Sequence, residues 1–341
     1  MTDAMPAALG WDIGGAHLKA VALAADRRVV ATHLLPCPLW QGLAHLEQAA
    51  RAVLSAHAGA APAHALTMTG ELCDLFEGRA EGVQRILDTM NRVLAPATPR
   101  VYALGRGLEP QPVRDPLGVA SMNWHAMARA LATHVPDALL MDVGSTTTDV
   151  IAIEGGEVRT GARDDRGRLA SDELVYQGVV RTPVMALCAR VPYRGTWQSM
   201  AAEYFATTAD VYRLLGQLPA DADLLPSADG RAKTVELSAA RLARMVGDDG
   251  GEDNFDALRE LAGYLRDTQL TRLREAARRV RGDGQPAVVV GAGVGRFLVR
   301  DLATSLDLPY RDYADALGVG GGDVANECAP ALALASLGLE S

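Results

Sequence analysis

The sequence predicts an α/β protein of two similar lobes facing a central cleft, and three observations lead there. A chain of 341 residues is too long for one ordinary hydrophobic core and suits two lobes of common domain size. The first hundred or so residues read, from their hydrophobic periods, as the order β-β-β-α-β-α-β. A strand that ends in aspartate and runs into small residues occurs twice, as Trp11-Asp12-Ile13-Gly14-Gly15 and as Met141-Asp142-Val143-Gly144-Ser145. This is a weak repeat at long range, expected if two related lobes each bring an acidic hairpin to the cleft. The expected division is 1–135 for the first lobe and 136–341 for the second, with a helical insertion at about 165–250 and a C-terminal Gly-rich loop.

In chain order, residues 8–13 form an apolar strand, Gly14-Gly15-Ala16 a tight turn, 17–24 a second strand and about 28–35 a third. A helix at about 40–57, a strand at 64–69, a helix at about 80–94 and a strand at 100–104 complete the first lobe. The second opens with strands at 138–143 and 147–153 around Gly144-Ser145-Thr146. Helices are then expected at about 197–206, 209–216, 238–246 and 254–281, the last stopped by Gly282. A strand at 287–290, a helix at about 294–305, a short strand near 308–311 and a closing helix at about 322–337 follow. The stretch 218–233, rich in Pro, Asp and Ala, reads as a surface loop.

Composition narrows the function. A net charge of −9 and 5% aromatic residues argue against nucleic-acid binding. No run of 18 apolar residues and no basic-then-apolar leader suggests a membrane or export, so a cytoplasmic protein is expected. Cys37, Cys73, Cys188 and Cys328 show no Cys-x-x-Cys pairing and read as reduced thiols. All seven histidines lie at or before His134, so a metal shared by both halves would be bound through oxygen, which favours Mg²⁺.

The glycine turns have a physical use. Small residues let backbone N–H groups close around phosphate oxygens while a neighbouring carboxylate holds Mg²⁺ against them. Asp12 and Asp142 suit the metal; Gly14, Gly15, Gly144, Ser145, Thr146 and Thr147 suit the phosphates. A plain Asp-Gly hairpin is the alternative for each motif alone. Lys19 and Lys233 are the only lysines in a chain whose 33 basic residues are otherwise all arginine. Lys19 is either a phosphate contact just beyond the turn or a solvated strand residue. Glu71, after Thr69-Gly70, is a base, an orienter of Mg²⁺-bound water or a helix-start carboxylate. His125 belongs to Asn123-Trp124-His125-Ala126, otherwise a helix-capping segment, and Arg181 grips a phosphate or makes a surface ion pair. Gly291 and Gly293 sit in a strand-to-helix glycine loop that suits an anion or close packing.

These residues resemble a known family. Asp12-Ile13-Gly14-Gly15, Asp142-Val143-Gly144-Ser145-Thr146-Thr147-Thr148-Asp149 and Gly291-Ala292-Gly293 are similar to the two phosphate motifs and the adenosine motif of the actin, Hsp70 and sugar-kinase superfamily, in its hydantoinase/oxoprolinase-like branch. With Thr69-Gly70-Glu71, Asn123-Trp124-His125-Ala126, Glu173-Leu174-Val175-Tyr176 and Arg181-Thr182-Pro183, the chain resembles the tetrahydromethanopterin-linked one-carbon transfer pathway proteins over nearly its whole length. The resemblance implies two ribonuclease-H-like lobes. It also implies a transferase like the archaeal condensing enzymes of methanofuran biosynthesis, joining an aminomethylfuran-methyl diphosphate to the phenol oxygen of tyramine, glutamyl-tyramine or tyrosine with release of diphosphate. Mg²⁺, the turn N–H groups and Lys19 would stabilise the leaving diphosphate, and Glu71 or His125 would take the phenol proton.

Ala16 stands where ATP-hydrolysing relatives often carry a hydroxyl residue. Two alternatives remain at this stage: an ATP-dependent small-molecule kinase using the same cleft, and a non-catalytic nucleotide-binding partner of other pathway enzymes. A homodimer is one possible assembly.

Overall fold

A computed structural model describes residues 5–284, 286–320 and 322–340. The strands are β1 (Ala8–Ile13), β2 (His17–Leu23), β3 (Val29–Pro36), β4 (Ala63–Met68), β5 (Arg100–Ala103), β6 (Gly107–Glu109), β7 (Ala138–Val143), β8 (Thr148–Glu154), β9 (Glu157–Arg159), β10 (Leu174–Val175), β11 (Arg190–Tyr193), β12 (Thr196–Ser199), β13 (Val288–Ala292) and β14 (Tyr310–Asp312). The helices are α1 (Ala44–Ala56), α2 (Arg79–Leu94), α3 (Asn123–Ala132), α4 (Asp165–Ser171), α5 (Thr208–Leu214), α6 (Val235–Met245), α7 (Phe255–Arg281), α8 (Arg296–Ser305), α9 (Tyr313–Ala316), α10 (Gly322–Glu327) and α11 (Ala329–Leu339).

The first sheet has the order β3-β2-β1-β4-β5-β6. Its first three strands form an antiparallel meander, and β4 and β5 return parallel to β1 after crossovers. Strand alternation assigns the faces. Leu9, Trp11 and Ile13 of β1 enter the core with Leu46 and Val53 of α1 and Ile86 and Met90 of α2. The opposite face of β1 receives α11 at Gly10, where a Cβ would collide with the Ala331 carbonyl and the Ala335 N–H. The Tyr313 hydroxyl donates to the Met127 carbonyl of α3 at 2.9 Å, tying the C-terminal segment down further.

The second sheet has the order β10-β8-β7-β13-β14, with β9 beside β8. Both sheets therefore place the strand carrying the aspartate, β1 or β7, between its hairpin partner and a strand that arrives much later in the chain. One compact unit comprises 1–138, 151–165 and 311–341, and the other comprises 139–150 and 166–310. In the latter, one core gathers β7, α7 and α8 residues such as Met141, Leu273 and Leu298. A second core joins the β11–β12 hairpin to α5, α6 and α7.

Two expected helices differ. Instead of a helix at about 197–206, Thr196–Ser199 pairs with Arg190–Tyr193. Arg194 and Gly195 have φ of 48° and 79°, the left-handed pair that closes a two-residue hairpin, while Val191 and Tyr193 bury one face. The closing helix is two helices, because Pro330 stands in the first turn of α11 and cannot continue a helix from α10.

Candidate active site

In the first unit the turn after β1 is anchored by its own hairpin and by the end of β3. Gly14 N–H donates to the His17 carbonyl at 2.9 Å, Leu39 N–H to the Gly15 carbonyl at 2.9 Å and Cys37 N–H to the Ala16 carbonyl at 2.8 Å. The sheet register sets Lys19, Asp12 and Thr67 side by side across β2, β1 and β4. Their side chains share the face that α11 covers. Asp12 is buried, and Lys19 Nζ stands 3.7 Å from its Oδ2. The thiol of Cys328, immediately before α11, is pushed up to about 12 by burial and lies close enough to feel both Lys19 and Asp12.

Thr69-Gly70-Glu71 packs directly on that turn. Thr69 N–H donates to the Ile13 carbonyl at 3.0 Å, and a Cβ on Gly70 would come within 3.1 Å of the Gly14 carbonyl oxygen. Glu71 follows at 1% exposure. Its Oε1 accepts from the Ser121 hydroxyl at 2.7 Å, and its Oε2 has no hydrogen-bond partner among the described residues. Burial pushes the carboxyl up to about 7, with the Ser121 bond opposing that rise. A neutral Glu71 near pH 7 relieves the cost of a buried, incompletely paired charge.

In the second unit the turn after β7 is closed by Gly144 N–H donating to the Thr147 carbonyl at 2.8 Å. The loop 178–181 folds against it: the Gly144 carbonyl accepts from Val179, and the Ser145 carbonyl from Val180 and Arg181, at 2.8–3.1 Å. Gly178 sits so close that a Cβ would collide with the Ser145 backbone. Gly293, at φ 80°, passes over Asp142, where a Cβ would collide with Oδ1 and with the Val143 carbonyl. The glycine loop after β13 thus closes on the acidic turn, and Gly295 N–H donates to the Val143 carbonyl at 2.8 Å.

The structure brings Asp12, Gly14, Gly15, Lys19 and Glu71 into one contiguous place in the first unit, and Asp142, Gly144, Ser145 and Gly293 into one in the second. Arg181 joins the second turn through its main chain while its side chain is exposed. Gly291 packs under the Tyr310 ring. His125, on α3, has Nδ1 2.8 Å from the buried Tyr102 hydroxyl and its ring edge-on to Trp124 at 5.2 Å between centroids. Three features escaped the sequence reading: Ser121, Thr67 and the buried ion pair of Arg168 with Asp149 at 2.7 Å. A lone serine or threonine carries no spacing signal, and Arg168 lies in α4, a short helix that was not anticipated. A shallow groove between α2 and the loops 95–98 and 111–113 shares no residue with either turn.

Each unit thus carries an acid-bearing strand, β1 or β7, inside its sheet with a glycine hairpin after it. The chain belongs to the hydantoinase/oxoprolinase family, whose model matches residues 63–334, a span that includes Glu71, Ser121, Asp142 and Gly293. It is 31% identical over 295 residues, 86% of this chain and 87% of the relative, to the (4-{4-[2-(gamma-L-glutamylamino)ethyl]phenoxymethyl}furan-2-yl)methanamine synthase of Methanocaldococcus jannaschii. The synthase of the same name from Methanococcus vannielii is 26% identical over 170 residues, 50% of this chain and 76% of that one. Among solved structures, component A of the Acidaminococcus fermentans (R)-2-hydroxyglutaryl-CoA dehydratase aligns over 98% of this chain and 97% of its own, at 14% identity and a TM-score of 0.48. Among the described residues, no helix is long and apolar enough to cross a membrane.

Proposed function

We propose that this chain is an ether-forming transferase of methanofuran or methylofuran synthesis. It joins the methylene carbon of an aminomethylfuran-methyl diphosphate to the phenol oxygen of tyramine, glutamyl-tyramine or tyrosine and releases diphosphate. The observation that carries the reading is the 31% identity, over most of both chains, to a synthase whose named product contains a phenoxymethyl-furan ether. In forming that ether, the bond between the methylene carbon and the diphosphate oxygen breaks, the phenol oxygen bonds to the carbon, and the phenolic proton must be accepted.

The residues suit each part. Glu71, with its carboxyl near 7, accepts the proton of a phenol whose ordinary value is about 10. The turn amides at 15–16 with Lys19 in the first unit, and those at 145–147 in the second, each suit the negative charge of a phosphate group. Among the described residues no three His, Cys, Asp or Glu gather to hold a metal by themselves. Asp12 offers a buried carboxylate in the first unit and Asp142 one in the second, and either fits Mg²⁺, which takes one or two carboxylates and completes its shell with water and phosphate oxygens. When bound, Mg²⁺ would supply positive charge to the leaving diphosphate. Gly293 itself brings no side chain against Asp142 Oδ1, and Arg181 and His125 are candidates for substrate contact.

The test is to incubate the purified protein with Mg²⁺, the furan diphosphate and each phenol in turn, following diphosphate release and the ether by mass spectrometry. Ether and diphosphate in equal amounts, both lost on chelation of the metal, are expected. Release of diphosphate without an ether, or ADP formed from ATP in a parallel reaction dependent on an acceptor, would contradict the reading.

A further inference from the structure

Glu71 is held more firmly than a surface carboxylate, and from two sides. On one side the backbone of α2 packs at Gly82 against the root of the residue, where a Cβ would come within 2.6 Å of the Glu71 carbonyl oxygen and 2.9 Å of its Cβ. On the other, the Ser121 hydroxyl reaches Oε1 at 2.7 Å, with Ser121 itself 6% exposed. The placement of that hydroxyl is built into the chain. Leu104 N–H donates to the Gly118 carbonyl at 2.8 Å, Ala120 N–H to the Pro116 carbonyl at 3.2 Å, and Ser121 sits at φ 54°, where residues other than glycine are uncommon. The two carboxyl oxygens are thereby made unequal. One is engaged with Ser121, and the other is buried without a partner among the described residues.

We propose that Ser121 is the positioning residue of Glu71: its hydroxyl engages Oε1, fixes the plane of the carboxyl and leaves Oε2 as the oxygen that accepts the acceptor's proton. The proposal rests on the reading of Glu71 as the proton acceptor of the transfer. In that step the phenol O–H bond breaks and its proton passes to Oε2. The electron pair stays on the phenol oxygen, which bonds to the methylene carbon as the carbon–diphosphate pair leaves with diphosphate; Oε2 later returns the proton to water. A serine that only knits the 116–121 loop to the Gly70–Leu72 turn would shift the carboxyl's titration through the same hydrogen bond, so it is the acid limb of kcat/KM moving with that titration that tells the two roles apart.

The test has an arm that needs no turnover. In protein labelled with ¹³C at the glutamate side-chain carboxyls, the Glu71 signal is assigned by its loss in Glu71→Gln and titrated in the wild type, Ser121→Ala and Ser121→Gly. The glycine variant removes the same hydroxyl while relieving the left-handed backbone. Losing a hydrogen bond to the charged form should raise the Glu71 titration by about one unit in both variants. The acid limb of kcat/KM should rise with it, giving about a tenfold loss at pH 6 that disappears at pH 9, with KM little changed. Ser121→Asn, which tolerates the same backbone and keeps a donor, should show less of that rise than Ser121→Ala. A Glu71 titration unchanged in folded Ser121→Ala and Ser121→Gly would overturn the proposal, as would an acid limb that stays put while the titration moves. Failure of the wild type to form the ether would count against the reaction alone, because the titration reads Ser121 without it.

Discussion

Glu71 is the residue on which the proposed chemistry and the stability of the first unit meet. Its carboxyl value in the folded chain, about 7, lies above the ordinary 4.5, so the fold binds that proton more tightly than the unfolded chain does. The stabilisation is therefore complete below about pH 4.5 and is lost as the pH rises through about 7. For a group 1% exposed the span corresponds to roughly 3 kcal/mol. Chemical denaturation at pH 5 and pH 8 should show wild type losing stability relative to Glu71→Gln by an amount of that order, with Glu71→Gln also lowering kcat about 10²- to 10⁴-fold. Equal pH dependence in the two proteins would mean that Glu71 is charged throughout. This residue was legible in the sequence as a carboxylate at the end of a strand beside a glycine. Its partner Ser121 was not, since fifty positions separate them and only the folded chain brings them together.

Among the elements, the central strands were the easiest to read. β1, β2, β7 and β8 are apolar runs broken by Asp and Gly, and each falls within about a residue of its expected place. The failures came where local pattern competes with a turn. Thr196-Trp197-Gln198-Ser199 has enough apolar spacing to pass for part of a helix, but the left-handed Arg194-Gly195 pair folds it back as a strand. The segment 218–233 forms no helix or strand, yet it is firmly tied: Asp223 pairs with Arg213 at 2.7 Å, and Asp229 with the fully buried Arg241 at 3.0 Å. Side-chain partners so far apart in the sequence leave no periodic trace. Gly10 marks the docking of α11 on β1, a glycine in mid-strand that only the close approach of another backbone explains. Gly10→Ala should push α11 away and cost about 3 kcal/mol in urea unfolding, at the upper end for overpacking, whereas Gly59→Ala would act only through its backbone angle. A Gly10→Ala protein as stable as wild type would show that α11 does not bear on the strand.

At the scale of the whole molecule, the repeated Asp-Gly hairpin was the most informative sequence signal, because it predicted the same topology twice. What it did not reveal is how the chain is shared between compact units: residues 151–165 and 311–341 cluster with the first hundred and thirty-eight. The closing Ala- and Leu-rich run reads as a buried helix, but an apolar helix carries no address. The two acidic turns are built by the same means. Each is closed by a hairpin hydrogen bond at the glycine and pressed by a second glycine-bearing segment, Thr69-Gly70 in one and Gly293 in the other.

The central claim is that the phenol oxygen attacks the furylmethyl carbon and diphosphate leaves with its bridging oxygen. The most direct measurement uses tyramine labelled with ¹⁸O at the phenol and follows the isotope by mass spectrometry after reaction with unlabelled furan diphosphate and Mg²⁺. The account predicts that the label is retained in the ether and absent from the diphosphate. An ether without the label, or label recovered in phosphate or diphosphate, would contradict it.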